Sequence, residues 1–317
     1  VYIILAAGGF ILLILYYSNR LPFGRKNTSF AVRQGTEITG IDLIKGDNKV
    51  TLRLKGGTWY ADRDVEARKQ AVMPLVHILQ GMKIKSPVSA EIFMGETAEK
   101  GEEPVRVNVY SKRKIVKSFY VYRTSSNSWG NIMKMRPGSK PFIVYVPGYE
   151  DDIGQFFVAD LRYWQPYSVF RILPSEIRRV EMQNLASPGS SFVVNNVNGR
   201  LSVSDSAGQL AGTDSLRIRR YLSYFVSIGF ESMAFDAGDS LTRAVISSPP
   251  AYRIMVGRTS GRTDSLTVWE KLKSAGGVTL RDTDRAWAEK NDGKGLFIIR
   301  YFDLDPILKK KSYFTDR

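Results

Sequence analysis

Cysteine is absent from the chain, which excludes thiol catalysis, iron–sulfur clusters and cysteine zinc sites. The redox compartment stays open on that count. Histidine occurs once, as His77, so a Ser-His-Asp arrangement would depend on that residue alone, and no histidine pair exists to hold a metal. The chain has no G-x-x-x-x-G-K-[ST] loop, no G-x-G-x-x-G opening a helix and no G-x-S-x-G elbow. Those absences remove the phosphate-cradling motifs and the strained nucleophile turn. Acidic residues are also few: 31 Asp and Glu stand against 46 Lys and Arg, a formal net charge of +15. Such a balance invites an anionic partner. The basic residues are scattered, however, at Lys112–Lys114, Arg178–Arg179, Arg217–Arg220 and Lys309–Lys311. No nucleic-acid motif organises them, and nucleic acid is not an expected partner.

Long apolar runs are scarce too; one stands out. Val1 to Tyr17 carries no charge and no proline. At about 1.5 Å per residue it makes a helix of roughly 25 Å, just short of the roughly 30 Å of a bilayer core. Residues 1–19 are therefore expected as a transmembrane anchor, with Tyr16 and Tyr17 in the interfacial belt. The chain opens at Val1 without Met, and residues ahead of it are expected to complete the span. Arg20, Arg25 and Lys26 come directly after the run and by the positive-inside rule favour a cytoplasmic body. A short leading anchor more often exports the body attached to it, so an inner-membrane location with the body in the periplasm is expected.

Residues 20–36 read as a polar linker. Period-2 alternation then marks strands at Ile41–Leu43 and Val50–Leu54, with Gly46-Asp47-Asn48 between them. Asp62, Asp64 and Glu66 look like the first turn of a helix whose stripe is Val72, Leu75, Val76, Leu79 and Met82, with Pro74 inside it. Hairpins come next, around Lys112-Arg113-Lys114 and around Pro137-Gly138-Ser139.

The same order begins again at Ile177. Val180 and Met182, Phe192 and Val194, and Leu201 and Val203 repeat the opening strands. Asp214 starts a helix carrying Leu216, Ile218, Leu222, Phe225 and Val226. Tyr252–Val256, Leu266–Val268, Ala286–Ala288 and Leu296–Ile299 repeat the later strands. The closing segments FIVYVPGYEDDIGQFFVADLR and FIIRYFDLDPILKKKSYFTDR match without a gap. This is the pattern of an internal duplication, with residues 37–166 as the first copy and 167–317 as the second. The expected fold class is α+β: an N-terminal transmembrane helix followed by two tandem strand–helix–strand domains.

Chemistry-bearing residues are thin. The carboxylates pair locally as Asp62/Asp64, Glu150/Asp151/Asp152, Asp282/Asp284 and Asp303/Asp305. Such pairs suit glycosidase-type work or calcium, but most sit where helix caps and turns need acids. Trp59, Trp129, Trp164, Trp269 and Trp287 suit a sugar surface less well than a core. No catalytic, cofactor-binding or metal-binding residue is assigned, and no cofactor is expected.

Several stretches together resemble a known family. They are Gly57 to Arg63, Lys85 to Ser89, Val107 to Val121, Lys140 to Gly148 and Phe156 to Met182. The pattern is similar to the bacterial membrane-anchored proteins of domain of unknown function 4340, in their Bacteroidota form. The resemblance implies no activity. It implies accessory subunits accompanying ABC-type transporters of the gliding-motility class. The expected function is then a non-catalytic, single-pass membrane subunit of a cell-envelope complex for transport, secretion or gliding. Its partners would be the lipid bilayer, through Val1 to Tyr17, and other envelope proteins. A periplasmic module for an anionic glycan is the alternative, and a paired-carboxylate hydrolase the weaker one.

Overall fold

The computed structural model describes residues 28–315, apart from 99–102, 124–130, 150–151, 236, 276–277, 292 and 294. The chain divides into two compact units at Pro166/Tyr167.

In the first unit, strands β1 (Gly40–Lys45), β2 (Asn48–Lys55), β3 (Thr58–Ala61) and β4 (Val65–Glu66) form a meander. Helix α1 (Lys69–Gly81) and strand β5 (Lys83–Pro87) come after it, then the short helix α2 (Ala90–Phe93). Strands β6 (Val105–Ser111), β7 (Lys114–Tyr122), β8 (Asn131–Lys134) and β9 (Phe142–Tyr145) complete an antiparallel sheet of order β4-β3-β2-β1-β6-β7-β8-β9-β5. Alternation sends Ile41, Leu43, Leu52, Val107, Phe119 and Val121 to one face. There they meet Val72, Leu75, Ile78 and Leu79 of α1. Phe119 joins the aromatic rings, edge-on to Phe30 and to Phe157 at 6.0 Å each.

The second unit repeats this plan. It opens with β10 (Ser168–Phe170) and continues through β11 (Ile177–Asn184), β12 (Phe192–Val197), β13 (Arg200–Asp205) and β14 (Gly208–Gln209). Helix α4 (Ser215–Ser223) is next in chain order after the four-residue helix α3 (Leu161–Trp164) of the first unit. Then come β15 (Ile228–Gly229), β16 (Ser232–Met233), α5 (Asp239–Ser247), β17 (Tyr252–Arg258), β18 (Thr263–Ala275), β19 (Val278–Lys290), β20 (Phe297–Arg300) and α6 (Tyr301–Leu304). The sheet order is β14-β13-β12-β11-β17-β18-β19-β20-β16.

Strand register makes the equivalence residue by residue. Leu43 lies between Val50 and Val107 as Met182 lies between Phe192 and Ile254. The ladder Val121, Met133, Phe142 answers to Val268, Ala288, Phe297. The start of each long helix is closed alike. The Arg68 N–H donates to the Trp164 carbonyl at 2.7 Å, and the Asp214 N–H to the Phe314 carbonyl at 2.8 Å. Trp164 thus corresponds to Phe314, and the closing segments are not gap-free as their sequences suggest.

Several expectations change. The class is predominantly antiparallel β-sheet and not α+β. Each unit is built on a nine-stranded antiparallel sheet, against which the first sets one helix of more than four residues, α1, and the second two, α4 and α5. Two-residue edge strands such as Val65–Glu66 and Gly208–Gln209 are too short to show alternation. Among the described residues no helix is long and apolar enough to cross a membrane; the stretch expected as an anchor, Val1–Tyr17, lies outside those residues. Residues 28–36 are not linker. Phe30 and Val32 are buried in the first core, and the Val32 N–H donates to the Leu79 carbonyl at 2.8 Å. Helix α1 begins at Lys69 with no acid in its first turn. Asp62 and Arg63 instead make a left-handed corner, φ 45° and 80°.

Candidate functional site

In the first unit, one face of the sheet packs against α1. On the other face, α2 covers one end: Phe93 stands edge-on to Tyr122 at 5.0 Å, and the Lys134 ammonium lies 4.7 Å from the Phe93 ring centre. Alternation brings Tyr60, Thr51, Arg53, Asp42, Arg106, Asn108, Tyr110, Ser118 and Tyr120 to the rest of that face.

Asp42 organises the centre. It is 3% exposed, and a carboxylate so covered needs partners. Arg53 Nη2 donates to its Oδ1 at 2.6 Å, the Tyr110 hydroxyl donates to Oδ2 at 3.0 Å, and Lys49 Nζ lies 3.6 Å away. The Arg53 guanidinium lies 4.8 Å from the Tyr110 ring centre. It reaches there by crossing Gly40, where an added Cβ would stand 3.2 Å from Arg53 Cδ and Nη1 and 3.3 Å from Tyr110 Cβ. Burial, reinforced by the neighbouring Asp42 carboxylate, raises the Tyr110 phenol above its ordinary pKa. Asp42→Ala is expected to cost about 1–3 kcal/mol, towards the lower figure because half-exposed Arg53 can rehydrate. Urea melts of the two proteins measure this, and the lost hydrogen bond returns the Tyr110 pKa towards ordinary in a tyrosinate titration.

The second unit carries the same device with the parts exchanged. By register, Arg179 occupies the place of Gly40, Glu181 that of Asp42, and Gly257 that of Tyr110. Arg179 Nη2 donates to Glu181 at 3.0 Å, and Gln183 Nε2 donates to the same carboxylate at 2.7 Å. Here the glycine is not a close crossing point: an added Cβ at Gly257 would stand 3.8 Å from Arg179 Cβ, an ordinary contact. Helix α5 covers the far end of this face: Val245, Trp269 and Leu296 form a small cluster with Trp287 packed on it. The Trp269 indole N–H donates to the Ser248 carbonyl at 3.0 Å.

The acids singled out by sequence disperse into structural work. Asp62 accepts the Thr51 N–H at 2.9 Å, Asp64 is exposed, and Asp152 caps the short 3-10 turn Ile153–Phe156 by accepting the Gly154 N–H. Glu150 and Asp151 lie outside the described residues. Asp303 pairs with Arg300 at 3.1 Å and Asp305 with Lys309 at 3.0 Å. These two acids line a cleft of about 480 Å3 with Tyr224, Val226 and Phe302. His77 is exposed beside Tyr149, ring centres 6.2 Å apart. Trp59, Trp164 and Trp269 are buried and Trp287 partly so; Trp129 lies outside the described residues. Among the described residues no group of His, Cys, Asp and Glu is arranged to hold a metal ion.

Asp282 is held by three partners. It accepts the N–H groups of Asp284 at 3.0 Å and Arg285 at 3.1 Å, and Lys271 lies 3.6 Å away. Burial raises its pKa, but the N–H donors and the Lys273 and Lys271 charges outweigh that and leave it below the ordinary carboxylate value. A carboxylate depressed in the folded state contributes stability that is complete above its unfolded pKa, about 3.9, and is lost as pH falls. Asp282→Asn is therefore expected to flatten the acid limb of the stability profile below about pH 4. Denaturant midpoints measured between neutral pH and the acid transition test this, and an unchanged limb refutes it.

The outer-face clusters were missed by sequence. Alternation places Asp42 and Arg53 on the polar side of their strands, but only strand register shows them as neighbours. The one local signal is the acid between two core residues in Gly40-Ile41-Asp42-Leu43. Fold and site together define a duplicated antiparallel-sheet protein, each unit having a long helix on one face and an arginine–carboxylate cluster on the other. No family model, no curated protein and no solved structure matches this chain.

Proposed function

We propose that the protein is a non-catalytic docking subunit of a bacterial cell-envelope complex, and that its partner binds the open face of the first sheet. The observation that supports this is the composition of that face: Arg53, Tyr110, Tyr120, Arg106 and Tyr60 gather around Asp42. Tyrosine and arginine dominate protein interfaces because they bring large contact area at small entropic cost. Here Arg53 and Tyr110 are also locked in place before binding by the Asp42 carboxylate, which lowers the ordering cost of association. With a formal net charge of +15 on the chain, the fitting partner surface is acidic. The motif resemblance supports the envelope setting, and the hydropathy of Val1–Tyr17 supports contact with the inner membrane, the body lying in the periplasm.

Arg106→Glu with Tyr120→Ala tests the reading while keeping the hydrogen bonds of Asp42 to Arg53 and Tyr110. Arg106 is exposed and faces half-exposed Tyr120 across β6 and β7. Native purification with crosslinking and mass spectrometry is expected to yield a stoichiometric partner with the parent chain. The double variant is expected to recover it at least tenfold less, with an unchanged circular dichroism spectrum. Equal recovery from a folded variant, or no partner from the parent, would remove the proposal.

A further inference from the structure

The ribbon formed by β18 and β19 runs past the sheet that carries it. Strand β17 pairs with β18 only from Thr263 to Val268, and β20 pairs with β19 only from Arg285 to Ala288. Beyond those rungs, Leu272 faces Arg281 and Lys273 faces Leu280, with no strand of the described residues paired on either side. The corresponding first-unit strands, β7 and β8, are 9 and 4 residues long against 13 each here. An isolated two-stranded ribbon is marginal in water, and this one is braced at its base. Lys271 pairs with Asp282 and lies 5.5 Å from the Trp287 ring centre. Arg281 pairs with Glu270 at 3.0 Å, and its Nη2 donates to the Tyr301 hydroxyl at 3.4 Å.

The far end carries an unusual surface. Leu272 is 61% exposed, Val278 56% and Leu280 50%. Because neighbours along a strand point to opposite sides, Leu272 and Arg281 share one face of the ribbon while Leu280 and Lys273 share the other. Both faces thus present an aliphatic side chain, Leu280 beside the Lys273 cation and Leu272 beside the Arg281–Glu270 ion pair. No acidic residue lies between Leu272 and Arg281 in the sequence. A protein groove would bury one face and leave the other in water. A bilayer interface takes both, receiving aliphatic groups at the acyl boundary and cations among anionic headgroups.

We infer that the outer part of the β18–β19 ribbon is a lipid-contacting element that docks on an anionic bilayer surface through Leu272, Val278 and Leu280, with Lys273 on the headgroups. This contact is independent of the protein-docking face on the first unit and of Val1–Tyr17.

The absence of cysteine makes the experiment clean. Val278→Cys and, as a control in an exposed turn of the same unit, Ser206→Cys are introduced separately into the full chain and labelled with an environment-sensitive fluorophore. Each is mixed with liposomes containing about one-third anionic lipid or none. Anionic liposomes are expected to shift the Val278→Cys probe to the blue, with quenching by lipid-borne quenchers, while the control probe stays unchanged. Adding Lys273→Ala is expected to lower the docked fraction-to-free ratio about fivefold, the worth of one basic residue near such a surface. No shift at the tip, or an equal shift at Ser206→Cys, overturns the proposal. A tip shift that needs no lipid and grows with protein concentration also overturns it, and assigns the ribbon to self-association. Circular dichroism identical to the parent shows that the variants have folded.

Discussion

Trp164→Ala is expected to destabilise the first unit by about 3–5 kcal/mol. Trp164 is fully buried at the end of the four-residue helix α3. Its indole N–H donates to the Val158 carbonyl at 2.8 Å, and Tyr163 stands edge-on to it at 4.9 Å. Its own carbonyl receives the Arg68 N–H at the start of α1. The side chain therefore anchors the returning chain against the helix that roofs the sheet. A domain of ordinary stability holds about 5–15 kcal/mol in total, so the loss is a large share, equivalent to a melting shift of roughly 10 °C. Trp164→Phe keeps most of the volume and leaves the Val158 carbonyl without its donor, for an expected cost of about 1–2 kcal/mol. Calorimetry of the three proteins separates the two contributions. An alanine variant within about 1 kcal/mol of the parent would mean that Trp164 does not close this core.

Tyr221→Ala is the counterpart in the second unit. Tyr221 is fully buried on α4, with Phe192, Phe225 and Phe314 around it at ring-centre distances of 5.6, 5.5 and 5.1 Å. Edge-to-face packing of this kind adds about 0.5–1.5 kcal/mol per pair beyond the buried area. Truncation to alanine is expected to cost about 3–5 kcal/mol. The Tyr221 hydroxyl donates to the Ile307 carbonyl at 3.0 Å, so Tyr221→Phe is expected to cost about 1–2 kcal/mol by leaving a buried acceptor unpaired. Burial also raises the Tyr221 phenol far above its ordinary pKa. A raised phenol stays neutral in the folded state while the unfolded chain would ionise near pH 10. High pH therefore erodes stability, and the absorbance of tyrosinate from this residue should emerge only with the alkaline unfolding transition. Its emergence before unfolding would contradict the burial of this ring.

Sequence comparison does not pair Trp164 correctly. Trp164 and Phe314 close equivalent helices, while the gap-free match of the closing segments sets Ala159 against Phe314. The strands were easier to align because each contributes a fixed pair of inward residues, as Ile41 and Leu43 or Val180 and Met182 do. Closing segments have no such period, and their placement depends on where the chain meets the helix end. Leu216 makes the same point on a smaller scale. It belongs to the helical stripe by spacing but is 75% exposed, while Tyr221, left out of the stripe, fills the core. The Asp214 cap sets where the helix starts, its carboxylate accepting the Leu216 N–H at 2.7 Å. Which way the first turn then faces depends on the elements packed against it.

Legible without coordinates were the repeat and its rhythm: alternating strands, the amphipathic helix that precedes the later strands of each copy, the turns between them, and the absence of a thiol or a second histidine; the helix Asp239–Ser247 was not. These are properties of neighbours along the chain, and a period of two or of 3.6 writes them into local sequence. The balance of sheet over helix, the burial of Phe30 and Val32, the exchanged glycine and arginine on the outer faces, and the free-standing ribbon came from tertiary structure alone. Each depends on which strands lie side by side, and strand pairing joins residues far apart in sequence, where no local period reaches.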